Sequence, residues 1–374
     1  MRIAIVRQKY TPFGGAERFV QRALDGLRAQ GVEVTVVARD WIGDAAGVLK
    51  VDPFYVGRTW RDLGFAAAVQ RIIAENRFDV VQSHERIPGC HVFRAGDGVH
   101  ATWLELRASA RTGLARLGDL APWHRYTVAA EARMFRHPNL RGVICNSRMV
   151  KDDIIRRFGV AEEKLHVIHN GVDLQRFHPG LRDEHRARVR AELGIAADAP
   201  AILFVGSGYE RKGVPALLRA LAAMKRRDAV LMVIGKDRRE NRMECLASRL
   251  GVRLRVRFLG PREDVRPYYG AADVFCLPSL YDPMPNAALE AFACGLPVVT
   301  STASGAAELI EEGRNGSVCD ALDVPALAAA LDARAGDAES LAEAARATVT
   351  GLSSDAMAAR LAGFYRQLLE GRPV

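Results

Sequence analysis

The chain has 374 residues, of which 49% are apolar and 26% charged, and it carries a net charge of +9. That length exceeds what one hydrophobic core usually serves, so two domains are expected. Mean hydropathy is close to zero and no run of about 18 uncharged apolar residues occurs, which excludes a membrane-spanning helix, while the basic balance calls for an anionic partner. Nucleic acid, a phosphorylated sugar and an anionic membrane all qualify, and charge alone selects none of them.

The chain opens Met1-Arg2-Ile3-Ala4-Ile5-Val6-Arg7, charged too early for a signal peptide, and reads as a first buried strand. Short runs rich in Val and Ile then recur at residues 3–6, 32–38, 78–82, 90–94 and 142–145. The same rhythm returns at 201–205, 229–234, 256–259, 272–277 and 297–300. Helical patterns at 16–30, 214–224 and 286–294 lie between them. Continuous apolar strands alternating with helices imply parallel sheets covered on both faces. Two doubly wound α/β domains are therefore expected, 1–180 and 181–354, with a final helix at about 355–374 packing back on the first. The joint is marked by Phe177-His178-Pro179-Gly180 and the charged helix 183–193. The alanine-rich stretch 324–347 is helix-forming composition. Six cysteines (Cys90, Cys145, Cys245, Cys276, Cys294, Cys319) show no CxxC pairing, so neither disulfides nor a metal are expected and a cytosolic compartment fits.

Open parallel sheets bind ligands beyond the carboxyl ends of their strands, and the informative residues follow those strands. The first strand runs into Lys9-Tyr10-Thr11-Pro12-Phe13-Gly14-Gly15-Ala16-Glu17-Arg18. Paired glycines before a helix start suit either an anion cradle or a plain tight turn. The second domain opens Phe204-Val205-Gly206-Ser207-Gly208-Tyr209-Glu210-Arg211-Lys212-Gly213. Here an arginine fork and a lysine point charge stand beside unpaired helix-start N–H groups, a composition suited to a diphosphate. A solvated loop with surface charges is the plainer alternative, and the spacing is not that of a Walker A loop. Third, Asp282-Pro283-Met284-Pro285-Asn286-Ala287-Ala288-Leu289-Glu290 precedes Gly295-Leu296-Pro297-Val298-Val299. If Asn286 starts a helix, Asp282 projects from the loop and Glu290 sits one turn inside, where carboxylates take hydroxyl pairs from sugars.

The Asp282-x7-Glu290 segment, the loop Gly206-Ser207-Gly208 with Arg211-Lys212-Gly213, and Val167-Ile168-His169-Asn170-Gly171-Val172-Asp173 together resemble the GT-B glycosyltransferases of family 4. The resemblance runs in order along essentially the whole chain. The opening with Gly14-Gly15 and the later Arg94-Ala95-Gly96-Asp97-Gly98 look most like bacterial lipopolysaccharide-core hexosyltransferases. It implies two Rossmann-like domains facing across a cleft, and a retaining, metal-independent transferase with no cofactor beyond its nucleoside-diphosphate sugar. By similarity, Arg211 and Lys212 neutralise the donor diphosphate, Glu290 accepts the ribose hydroxyls and Asp282 holds the donor sugar. The family usually has Glu at the first of these positions, so the shorter Asp282 leaves the donor sugar unspecified. Gly206, Gly235, Lys236, Met284 and Asn286 line the donor site, and Arg262 flanks the base. From the first domain Gly14, Gly15, Asp97 and His100 face the acceptor, with Asp97 preferred over His100 for the reacting end. His84 and His91 are expected to be structural.

Residues 101–136 interleave Trp103, Leu104, Leu106, Leu114, Leu117, Trp123, Tyr126 and Phe135 with Arg107, Arg111, Arg116, Arg125, Arg133 and Arg136. Such a segment suits either docking on an anionic membrane or an ordinary helix pair. The expected partners are thus a nucleotide sugar, a glycan or lipid-linked acceptor and an anionic inner-leaflet surface. A nucleic-acid binder would need a zinc-finger spacing or RNA-binding signature, and a dehydrogenase a GxGxxG with its ribose-binding acid. Neither is present in the sequence. An epimerase of the same fold remains as the non-transferase alternative.

Overall fold

The computed structural model describes residues 2–10, 31–41, 47–75, 78–110 and 121–370. The chain divides into two compact units, residues 1–170 with 354–374, and residues 171–353.

The first unit is built on a sheet of seven strands. They are β1 (Arg2–Tyr10), β2 (Glu33–Trp41), β3 (Val48–Lys50), β4 (Val80–Ser83), β5 (Val92–Ala95), β6 (Gly142–Cys145) and β7 (Leu165–Val167). Their order is β3-β2-β1-β4-β5-β6-β7, and every pairing is parallel. Successive side chains of β1 point to opposite faces. Ala4 and Val6 join Val37 and Val81 against Phe65, Ala66 and Val69 of the helix Gly57–Ala74. Ile3 and Ile5 pack on the opposite side against Met357, Leu361, Phe364 and Tyr365 of the helix Ser354–Leu369. That helix approaches closely because β6 carries a glycine: a Cβ on Gly142 would lie 2.9 Å from the Phe364 ring. The Tyr365 hydroxyl donates to Gln82 Oε1.

The second unit repeats the plan with six parallel strands: β8 (Ala201–Val205), β9 (Val230–Ile234), β10 (Val256–Gly260), β11 (Val274–Leu277), β12 (Val298–Ser301) and β13 (Gly316–Cys319). They run in the order β10-β9-β8-β11-β12-β13. Its core holds the side chains of β8, β9 and β11 with Leu217, Leu221, Leu289 and Phe292 from the covering helices. Buried Asp273 fixes the start of this sheet, accepting from the Ala201 N–H at 2.9 Å and from Arg190 at 3.1 Å. The helix Leu181–Leu193 is thereby tied to β8 and β11.

Ten of these thirteen strands coincide with apolar runs in the sequence, with starts displaced by a residue or two. The short strands β3, β7 and β13 do not announce themselves. Each is three or four residues long and lies at a sheet edge, where one ladder of hydrogen bonds and one covered face demand no sustained apolar run. In both sheets the chain begins centrally and reverses direction once, at β1/β4 and β8/β11. Ligand crevices form outside the carboxyl ends of strands at such reversals.

Candidate functional site

The loops after β8 and β11 flank the reversal in the second sheet, and glycine lets them touch. Gly213 has φ +81°, and a Cβ there would stand 1.9 Å from the Pro278 carbonyl oxygen. The approach delivers Lys212 to Asp282: ammonium and carboxylate form an ion pair whose side chains are 13% and 7% exposed. Ser279 Oγ lies 3.4 Å from Asp282 Oδ2. The Asp282 backbone is held as well, its N–H donating to Ala303 O at 3.0 Å and its carbonyl accepting from Gly305 N at 2.8 Å. Beside it Arg211 Nη1 donates to Tyr281 O at 3.3 Å, while Leu280 N donates to Arg211 O at 2.8 Å.

A third loop, after β9, closes on the first. Gly235 has φ +145°, and a Cβ there would lie 2.0 Å from Gly206 O. Gly206 in turn packs under the Lys212 stem. Across this contact Lys236 N donates to Ser207 Oγ at 3.1 Å and Tyr209 N to Asp237 Oδ2 at 2.7 Å. The buried Tyr209 hydroxyl lies 3.2 Å from both Gly235 O and Glu240 Oε2. Burial and Glu240 push that phenol's pKa up, so it stays a donor. The helix Asn286–Ala293 then carries Asn286 at its first position and Glu290 in its second turn, with Met284 buried just before it. Tyr269 donates to Glu290 Oε2 at 3.0 Å.

The sequence-predicted donor residues thus fall around one sheet reversal. Gly206, Arg211, Lys212 and Asp282 sit at its centre, and Gly235 abuts Gly206. Lys236 stands exposed one strand away and Arg262 exposed two strands away, beyond β10. One expectation changes in form. Lys212 is not a lone point charge for a diphosphate, because a largely buried ammonium needs a counter-charge and Asp282 supplies it. Tyr209, Asp237 and Tyr269, which bind these loops and Glu290 together, escape sequence reading because aromatic and acidic residues in loops or short helices carry no periodic signal.

In the first unit Gly14 and Gly15 lie outside the described residues. Asp97 is exposed in the turn after β5, where Gly98 N closes onto Ala95 O at 3.2 Å. Arg86 braces this turn through Gly98 O at 3.0 Å and pairs with Glu131 at 2.8 Å. Glu131 is fully buried and accepts from the His100 N–H at 3.0 Å, an anion at the start of the helix His100–Ser109 where the helix dipole favours it. His100 is 8% exposed. Its Nε2 lies 2.9 Å from His124 Nδ1, and Arg107 Nη2 lies 3.2 Å from His124 Nε2. Arginine can only donate, so His124 accepts at Nε2 and, when neutral, donates from Nδ1 to His100. Burial first, then Arg86, His124 and Arg107, press the His100 pKa down to about 3. This ring is largely buried within the unit. His91 Nδ1 accepts from Val81 N at 3.1 Å, and His84 lies 3.2 Å from Gln82 Nε2, its pKa lowered by burial, Arg7 and Arg94. Glu85, after β4, accepts from Gln8 N at 3.0 Å and has its pKa raised, chiefly by burial and further by Asp97. Single acids such as Glu85 and Glu131 gave no sequence signal.

Within 101–136, residues 111–120, including Arg111, Leu114, Arg116 and Leu117, lie outside the described residues. Of the rest, Trp103, Leu104, Leu106, Trp123 and Tyr126 are half-buried, Phe135 belongs to the core, and Arg125, Arg133 and Arg136 are exposed. Exposed large apolar residues cluster instead at Phe54, Tyr55, Val56, Trp60 and Leu63, with Leu254, Leu322 and Leu369 exposed elsewhere among the described residues. The cluster adjoins the helix Pro122–Phe135, whose Trp123 donates to Asp62 at 2.7 Å.

Two doubly wound parallel sheets, one bearing clamped glycine loops with Arg211 and Lys212 at its reversal point, define a two-Rossmann-domain protein. Residues 13–176 match the model for Glycosyltransferase Family 4 and residues 199–347 that for Glycosyl transferases group 1. The chain is similar to the lipopolysaccharide glucosyltransferase WaaG of Escherichia coli (strain K12), 29% identical over 324 residues that cover 85% of each chain. It is also similar to the lipopolysaccharide core biosynthesis glycosyltransferase LpsE of Rhizobium meliloti (strain 1021), 28% identical over 366 residues, 96% of this chain and 97% of that one. The crystal structure of WaaG superposes with a TM-score of 0.81 at 26% identity over 97% of this chain and 99% of the other. The chain thus carries a family 4 glycosyltransferase domain followed by a group 1 glycosyl transferase domain, and has the GT-B fold. It is a glycosyltransferase.

Proposed function

We propose that the chain transfers a hexosyl group, with retention and without a metal ion or bound cofactor, from a UDP-linked sugar to a lipid-linked glycan of the lipopolysaccharide-core type. The observation that carries this reading is the meeting of loops 206–213 and 278–285 at the sheet reversal. There Arg211 and Lys212 stand beside Asp282, cations where a leaving diphosphate accumulates charge. Arg211 and Lys212 meet the diphosphate, Asp282 the sugar hydroxyls, and Glu290 the ribose. Asp97 orients the acceptor hydroxyl. No carboxylate serves as a covalent nucleophile in this scheme, and the sugar passes through a short-lived oxocarbenium-like ion pair. A glycosyl-enzyme adduct trapped on Asp97 or Asp282 would overturn that step. The acceptor assignment is supported by the lipopolysaccharide roles that WaaG and LpsE carry in their names.

The reading also places the protein on the cytoplasmic face of the inner membrane, docked on anionic lipid. No described helix is long and apolar enough to cross a membrane. Exposed Phe54, Val56, Trp60 and Leu63 join exposed Arg58, Arg125 and Arg133, the mixture of apolar and cationic groups that interfacial surfaces use. The test is a thermal-shift screen of UDP-, GDP- and ADP-sugars followed by turnover with core oligosaccharide and with polyprenyl-linked acceptors. UDP-glucose should raise the melting temperature of the wild type and leave an Arg211→Ala/Lys212→Ala variant unmoved. Equal shifts in both proteins would refute the diphosphate role, and isomerised nucleotide sugar formed without acceptor would mark an epimerase.

A further inference from the structure

Glu290 is an acid on a helix and needs something to fix the orientation of its carboxylate. The structure supplies Tyr269. Its ring is 1% exposed and stacked on Phe275, centroids 6.1 Å apart, with Phe177 edge-on at 5.6 Å. The helix that carries it, Arg266–Ala271, is seated by its neighbour Gly270, where a Cβ would lie 2.1 Å from Leu181 O. Ring and helix are both closely packed. The hydroxyl lies 3.0 Å from Glu290 Oε2 and 3.0 Å from Ala287 O.

Both neighbours accept and the phenol has a single proton. The carboxylate is the stronger acceptor, so the hydroxyl holds Glu290 Oε2 beside the first turn of its own helix and narrows the orientations open to the carboxylate. We infer that Tyr269 is a positioning residue for donor recognition, setting Glu290 to receive the two vicinal hydroxyls of a nucleotide ribose. The role rests on the assignment of Glu290 to the ribose made above. Burial first, and then Glu290 and Cys294, hold the phenol's pKa well above its ordinary value, so the proton is present throughout the neutral range. A carboxylate free to rotate would meet one ribose hydroxyl well and the other poorly. Tyr269 thus acts on the difference between ribose and its deoxy analogue, not only on affinity.

The experiment compares UDP with 2′,3′-dideoxy-UDP by titration calorimetry on the wild type, Tyr269→Phe and Glu290→Gln. Phe keeps the ring and its packing, and only folded protein binds, so the ratio of the two affinities is internal to each preparation. The wild type should prefer UDP by tenfold or more, Glu290→Gln should lose most of that preference, and Tyr269→Phe should reduce it by roughly three- to tenfold, in line with the net loss of one typical hydrogen bond. Donor KM should rise in Tyr269→Phe with kcat little changed. A Glu290→Gln variant that keeps the wild-type ratio overturns the ribose assignment itself, as does a wild type that binds both analogues equally or neither. A Tyr269→Phe ratio equal to wild type, with Glu290→Gln collapsed, overturns the positioning role alone.

Discussion

Removing one member of the Lys212–Asp282 pair should destabilise the second unit far more than breaking a surface ion pair. Exposed pairs contribute about 0–1 kcal/mol, whereas stripping one partner from a buried pair costs about 3–5 kcal/mol because the other charge is left uncompensated. With side chains only 13% and 7% exposed, this pair belongs to the second class, toward its lower end because the lysine keeps some contact with water. Lys212→Met should therefore cost about 3 kcal/mol. For a unit of this size that corresponds to roughly 6–12 °C in Tm. Asp282→Asn should cost less, since the new amide would keep a polar group beside Ser279. Lys212→Met/Asp282→Asn should recover a large part of the loss, giving a coupling energy of about 2 kcal/mol. Urea unfolding of the three variants, followed by a probe in the second unit, measures the cycle. Losses below about 1 kcal/mol in the Lys212→Met variant, the range of exposed pairs, or losses that simply add in the double variant, would show that the pair is solvated and the counter-charge argument wrong.

Gly213→Ala and Gly235→Ala should each lower Tm sharply and weaken UDP-glucose binding, since the new Cβ would meet a backbone carbonyl at 1.9 and 2.0 Å. Gly208→Ala, at φ +79° but in open space, should cost only about 1 kcal/mol, so similar losses at all three positions would contradict the close-approach account. His100 has a folded pKa of about 3, below its ordinary 6.5. As pH falls through 6.5 the unfolded chain takes up the proton first, so stability present at pH 7 is lost progressively toward pH 3. His100→Gln should flatten that acid limb in unfolding midpoints measured from about pH 7 to 5, and an unchanged slope would count against a neutral, buried His100. Trp60→Ser/Leu63→Ser should reduce retention of the protein on phosphatidylglycerol vesicles severalfold relative to phosphatidylcholine ones, while equal and negligible retention of the wild type on both would remove the docking proposal.

Much of the fold could be read directly. The central strands of both sheets are buried on two faces, so β4, β5, β6 and β11 have no exposed residue; β6 and β11 appear in sequence as unbroken apolar runs, while β4 and β5 are apolar runs that also carry Gln82, Ser83 and Arg94. The glycine loop with Arg211 and Lys212, and the Asp282–Glu290 spacing, were legible because backbone approach and charge are properties of residue type. What could not be read was partnership. Lys212 lies 70 residues from Asp282, Tyr269 lies 21 from Glu290 and Glu131 lies 31 from His100; no periodicity links such positions.

By itself the sequence determined strand, helix and loop, because burial on both faces and glycine's freedom at positive φ are local demands that each residue type meets or fails. It determined too which residues could bear charge at strand ends. Only the tertiary structure decided which of those charges meet. Loop contacts at Gly213 and Gly235 bring together groups from separate strands, and burial then dictates that each charge take a partner: an ammonium its carboxylate, a carboxylate its phenol.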